Sequence, residues 1–250
     1  MKMAALLPTL SLLITSSAMS ADLRLPAKAP PMAAPVYNWT GCYLGGGGGY
    51  GMFDQEVRFV DSGRPIGAET DVGGRGWFGT VQVGCDYQIS SNIVIGAFAD
   101  YDFSGIKGNW HTAVAFSDLV GREKLKSSWA VGGRIGWIAF QPLLVYVSGG
   151  YTEARFNSIN LVEALSGVST TFSVDRHTYS GWFIGTGYEY ALGFFPGLFW
   201  KTEYRFADYG TDRVPLLLRG LDTGDAFDQQ KFVHTVRSEL VWRFNWGGRY

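Results

Sequence analysis

Eight charged side chains are spaced as parts of one interior. Lys201, Glu203 and Arg205 recur at every second residue, Arg237, Glu239 and Arg243 share one parity, and Arg134 and Glu189 stand in two further segments. An extended chain sends alternate residues to opposite faces, so each of these sets lies on one face. Carboxylates and cations gathered in this way could exchange protons as an acid–base pair, line a narrow ion path, or pair off and fill the space with salt bridges. Unpaired charges in a narrow interior are costly, which favours the third reading over the other two.

Cys42 and Cys85 are a second possible constellation. Their midpoint falls in the long connection between two extended segments, so an antiparallel pairing would set them nearly opposite. An oxidising compartment would let them form a disulfide; the alternative is two thiols packed against lipid. His111, His177 and His234 fall in or beside long connections, on what would be the outer side, and their spacing fits no metal-ligand motif. There is no nucleophile elbow, Gly-rich phosphate loop or zinc signature. No outward serine is partnered by a histidine near a strand end, as a lipid-editing barrel would need. The expectation is no catalytic residue, no cofactor and no metal.

The last segment, Phe232 to Phe244, shows how the charges are positioned. Val236, Ser238, Leu240, Trp242 and Phe244 fall on one face, with Arg237, Glu239 and Arg243 on the other. A soluble sandwich and a membrane barrel share this pattern with opposite faces outward. Composition separates them. The 250 residues carry 34 Gly, 9 Trp, 13 Tyr and 17 Phe against 17% charged residues, a ring content that suits a surface in contact with lipid. The net charge of −1 leaves no electrostatic footprint for nucleic acid.

Residues Met1 to Ser20 read as a secretory signal, with Lys2, an apolar run through Ile14, and Ala18 and Ser20 placing cleavage before Ala21. Ala21 to Tyr37, with Pro26, Pro30, Pro31 and Pro35, reads as an extended periplasmic lead-in. From residue 38 to 250 the chain reads as one domain. After the signal no apolar run is long enough for a membrane helix; the best, Trp137 to Val147, is interrupted by Gln141 and Pro142.

Eight extended segments are expected: Trp39–Phe53, Arg75–Ile89, Ile93–Ser104, Lys126–Phe140, Leu143–Phe156, Thr178–Ala191, Leu198–Tyr209 and Phe232–Phe244. The run Gly45 to Gly49 in the first would permit tight curvature and close backbone contacts. In the second, Thr80, Gln82 and Asp86 oppose the apolar face; in the third, Asp100, Asp102 and Ser104 do; in the fourth, Lys126, Ser128 and Arg134 do. The connections alternate between short ones, at Ser90, Gln141 and Phe194, and long ones, Asp54–Gly74, Gly105–Leu125, Asn157–His177 and Gly210–Lys231. That sorting predicts an all-β, eight-stranded antiparallel transmembrane barrel with short periplasmic turns and longer external loops. Trp77, Tyr101, Trp129, Tyr151 and Trp182 would form a girdle on the loop side, and Tyr43, Tyr87, Trp137, Trp200 and Trp242 one on the turn side. Trp110, Phe116, Phe172 and Phe227 fall in the long connections, where exposed rings would favour surface contact.

Certain stretches carry a family resemblance. Ala21-Asp22-Leu23 with Lys28-Ala29-Pro30, and Tyr37-Asn38-Trp39-Thr40-Gly41-Cys42-Tyr43-Leu44-Gly45, are joined by Gly181-Trp182 with Gly185, Gly187 and Glu189-Tyr190, by Glu203-Tyr204, and by Val236-Arg237 with Trp242-Arg243-Phe244. With these the chain resembles, over nearly its whole length, the small outer-membrane β-barrel surface proteins of α-proteobacteria, the outer-membrane immunogens, within the OmpA-like barrel group. Cys42 departs from the aromatic usual there, and Asn245 to Tyr250 extends past the point where many barrels stop.

The resemblance implies an outer-membrane location, insertion by the barrel-assembly machinery reading the final strand, and a structural or surface role rather than an enzymatic one. The expected partners are outer-membrane lipid and lipopolysaccharide, with host or environmental surface ligands beyond the cell. Two functions stay open: a structural surface barrel plugged by its own charges, and a narrow porin for small solutes or ions.

Overall fold

The computed structural model describes residues 37–114 and 117–244. The signal segment and all but Tyr37 of the proline-rich lead-in lie outside the described residues, as do Phe116 and the tail after Phe244.

Eleven strands form one antiparallel sheet: β1 (Gly41–Asp61), β2 (Arg64–Gln88), β3 (Ile93–Ser104), β4 (Lys107–Val114), β5 (Ser117–Phe140), β6 (Leu143–Phe156), β7 (Ile159–Glu163), β8 (Ser169–Val174), β9 (His177–Ala191), β10 (Leu198–Leu218) and β11 (Leu221–Phe244). Eight of them close a ring in the order β1, β2, β3, β5, β6, β9, β10, β11. β11 returns to β1 in a continuous register from Cys42 opposite Phe244 to Val60 opposite Ala226. Closure leaves no unpaired edge in this ring, which a sheet in hydrocarbon requires.

Both faces of the wall follow the alternation. Val236, Leu240 and Trp242 are half exposed while Arg237, Glu239 and Arg243 are buried, so the oily face is outward and the charged face inward. On β2 the outward rings Trp77 and Tyr87 lie ten residues apart. That is about 33 Å of strand, or about 25 Å of membrane at a tilt of about 40°. Tyr50, Tyr101, Tyr151, Trp182 and Tyr204 stand outward towards the loop end, and Trp137, Tyr190, Trp200 and Trp242 towards the turn end. We take the strand segments between these two girdles as the membrane-spanning ones. The expected girdle is corrected at Tyr43, which is 2% exposed and points into the lumen; Trp129, register partner of Tyr101 with its ring 5.6 Å from Tyr151, stands with the loop-side girdle though its neighbours partly cover it.

The glycine run does what curvature demands. Gly47 and Gly49 lie on the inner face of β1, and a methyl group there would collide with the carbonyl of Ser238 or of Val236. The space above Gly49 is filled by the Phe78 ring, over which the Arg237 guanidinium sits at 5.4 Å. Bare backbone on one wall makes room for large side chains from the others.

Three expectations change. The long connections are not loops in the main: β1 with β2 and β10 with β11 run on as paired ribbons to tight turns at Ser62-Gly63 and Arg219-Gly220, and β4, β7 and β8 pair onto the neighbouring strands. Their inward faces are therefore buried. Trp110 and Phe227 are both 0% exposed, with rings edge to face at 4.9 Å, and Phe172 packs against the same core, so these rings are not surface contacts. Lys126 is exposed because the register slips between Leu125 and Ser127, reversing the parity that would have turned it inward.

Candidate functional site: the charge-filled lumen

The inner wall brings together all eight charges singled out from the sequence, and adds their partners. Nearest the turns, Arg243 donates to Asp86 and Glu189, each at 2.6 Å, and to the Trp39 carbonyl at 2.9 Å. Arg134 lies against the same two carboxylates, bonded to Asp86 and 3.0 Å from Glu189. Two guanidiniums and two carboxylates thus form a closed square whose side chains are 0–2% exposed. The arrangement suits arginine, whose planar fork can engage two carboxylates at once.

The next layer is centred on Lys201 and Glu203. The Lys201 ammonium donates to the Gln82 carbonyl oxygen at 2.6 Å and lies 3.5 Å from both Glu203 and Glu239. Tyr146 donates its hydroxyl to Glu203 at 2.9 Å. Arg205 donates to Glu203 and takes Asp100 in a bidentate grip at 3.1 and 2.8 Å. Arg237 then bridges Asp100 at 3.3 Å and Asp102 at 3.0 Å. Every cation has a carboxylate within ion-pair distance, which is what burial of charge requires.

The ends are of a different kind. At the turn end the square is covered by Trp39, 0% exposed and 5.0 Å from Phe199, and the Arg243 guanidinium stacks over both rings. Beyond the outer girdle, Lys231 donates to Glu123 at 2.7 Å and to Gln55, inside a box of Phe53, Phe156 and Tyr179. Burial holds the Lys231 ammonium below the ordinary lysine value, against the opposing pull of Glu123. Burial likewise pushes the Tyr179 phenol well above the tyrosine range. Above this box the interior is apolar, with Val57, Trp110, Leu119, Leu161, Val214 and Phe227 buried. Polar layers at membrane depth are thus capped by apolar ones at both ends.

Sequence reasoning missed the carboxylates that complete the network, placing the charges mostly on the final strands. Asp86, Asp100 and Asp102 come from β2 and β3, where their parity with Thr80, Gln82 and Ser104 already marked the inner face. The layer of Gln55, Glu123, Gln229 and Lys231 carried no such signal, because its residues fall where long loops were expected.

Cys42 and Cys85 are register partners on β1 and β2 and are joined by a disulfide on the outward side. The histidines are scattered. His111 is exposed, His177 lies 3.0 Å from Asp212, and His234 accepts from or donates to the Tyr204 hydroxyl at 2.8 Å on the outer wall. Among the described residues no group of three His, Cys, Asp or Glu side chains could hold a metal ion.

Comparison with known proteins agrees with this architecture. Residues 10–244 match the outer membrane protein β-barrel domain. The chain is 31% identical over 249 residues, 96% of its length, to the 31 kDa outer-membrane immunogenic protein of Brucella melitensis, covering 98% of that protein. The same protein of Brucella suis matches equally. Among solved structures, the outer membrane protein OprG of Pseudomonas aeruginosa aligns with 83% of this chain and 98% of its own at a TM-score of 0.53 and 10% identity, a likeness of fold alone.

Proposed function

The chain belongs to the outer membrane protein β-barrel family, and from that membership we propose that it is a structural outer-membrane barrel, closed by its own side chains, which presents a β-structured arm at the cell surface. One observation supports the reading: every cation of the lumen lies within ion-pair distance of a carboxylate, in layers set between two apolar caps. An ion entering such a lumen would have to break several charge-assisted bonds before reaching water on the far side. The body then serves to hold the barrel rigid in the membrane. The arms built by β1 with β2 and by β10 with β11 stand beyond the outer girdle as the surface offered to a host or to the environment. The similarity to an outer-membrane immunogenic protein supports a surface role rather than a catalytic one.

Solute flux tests the closure. Vesicles holding the refolded chain, placed in iso-osmotic arabinose, should swell no faster than protein-free vesicles of the same lipid. Swelling that grows with the protein content and falls with solute size would instead identify a narrow porin.

A further inference from the structure

Just above the outer girdle, on the outside of the wall, three neighbouring strands bring cations into one row. Arg75 of β2 is the register partner of Lys107 of β4, which is in turn the partner of Lys124 of β5; Arg122 lies opposite Asn109 two pairs further along, on the same face. Arg75, Lys107 and Arg122 are exposed, and among the described residues none of the four is in an ion pair. Like charges directly opposed across strands are destabilising, so the fold carries this row at a cost that a bound anion would offset.

The row also borders a built hollow. Arg75, Lys107 and Arg122 line a cavity of about 480 Å³ together with Gly73, Gly74 and Asp54. The glycines are there because β2 and β4 touch: a methyl group on Gly74 would lie 2.7 Å from the Gly108 backbone. Three cations face a single carboxylate, while the next acidic residues, Glu56 and Asp71, stand further from the membrane along β1 and β2.

Height decides the occupant. Arg75 is two residues beyond Trp77 on the same face, about 7 Å along the strand. Trp77 is 74% exposed and marks the outer interface, so the row stands at the level of the lipid headgroups rather than at the tip of the arm.

We infer that the hollow lined by Arg75, Lys107 and Arg122 is a docking site for the phosphate groups of an outer-leaflet glycolipid of the lipid A type. The site clamps one such lipid against the β2–β4–β5 face and orients the arm above it. Family membership places the chain in the membrane that holds this lipid, but the site stands whether or not the lumen conducts.

Binding of fluorescent lipid A to the refolded full chain in neutral detergent tests it. Saturable binding is expected, weakened about tenfold or more in R75Q/K107Q/R122Q, because each substitution removes a charge-assisted contact. R75K/R122K, which keeps the charges, should stay within about threefold of the parent. All three positions are exposed, and heat-modifiable migration on a gel verifies that each variant is folded. Equal binding by the triple variant, or equal binding of lipid A stripped of its phosphates, would overturn the site. Dextran sulfate binding as tightly as lipid A would assign the cluster to a soluble polyanion and overturn the lipid assignment.

Discussion

Arg243→Ala should cost about 3–5 kcal/mol of folding stability, the expected penalty for removing one partner of a buried charge network. The reason lies in what stays behind. Asp86 and Glu189 would be left with only Arg134 between them, at a depth where both side chains are 0% exposed, and the Trp39 carbonyl would lose its donor. Arg243→Lys keeps the charge but cannot reach two carboxylates and a carbonyl in one plane, so it should fall between. Arg213→Ala is the control. That pair with Asp228 is solvent-exposed on the arm, where ion pairs are worth little. Urea unfolding of the three variants in one detergent ranks them. Equal midpoints for Arg243→Ala and Arg213→Ala would mean that the square at the turn end is not a single paired unit.

Trp110→Ala should cost a similar amount, about 3–5 kcal/mol, because a fully buried indole leaves a cavity that the packed ribbons cannot close. The sequence alone suggests the opposite. In a solvated loop a tryptophan is a contact for something outside, and its removal would be nearly neutral for folding. Leu165→Ala, at a site 92% exposed, provides that neutral reference and should stay within about 0.5 kcal/mol. The readouts are the urea midpoint and the rate at which protease clips the arm while the membrane-embedded part stays intact. If Trp110→Ala matched Leu165→Ala in both, the arm would have no core of its own.

These two residues show where the sequence is legible. Arg243 sits in a segment whose period of two is unbroken, so its face follows from its parity, and the chain pays for any register error by turning a charge to lipid. The same logic reaches Arg134, Glu189, Lys201, Glu203, Arg205, Arg237 and Glu239. It also covers Asp86, Asp100 and Asp102 once the wall is treated as one ring rather than as final strands. Trp110 lies beyond the girdle, where polar and apolar residues alternate without a lipid face to discipline them, and length with polarity imitates a loop. Lys126 fails for a local reason: one extra residue at a bulge flips the face, and nothing in the residue types of Leu125 to Ser127 announces it. Tyr43 is misplaced because its type fits an interfacial belt, whereas its parity with the inner face of β1, two residues from Gly45, decides its direction. The pairing of Cys42 with Cys85 depends on the register of a single hairpin, which the symmetric spacing of its two strands makes readable.

The central claim is that the lumen is closed, and single-channel conductance of the refolded chain in a planar lipid bilayer tests it most directly. No discrete openings are expected from protein shown to be folded and inserted, and openings should appear only when the network and a cap are removed together, as in Trp39→Ala with Arg243→Ala. Reproducible unitary currents from the parent chain, shifted when Arg205 or Arg237 is neutralised, would contradict it and make the paired charges the lining of a pore.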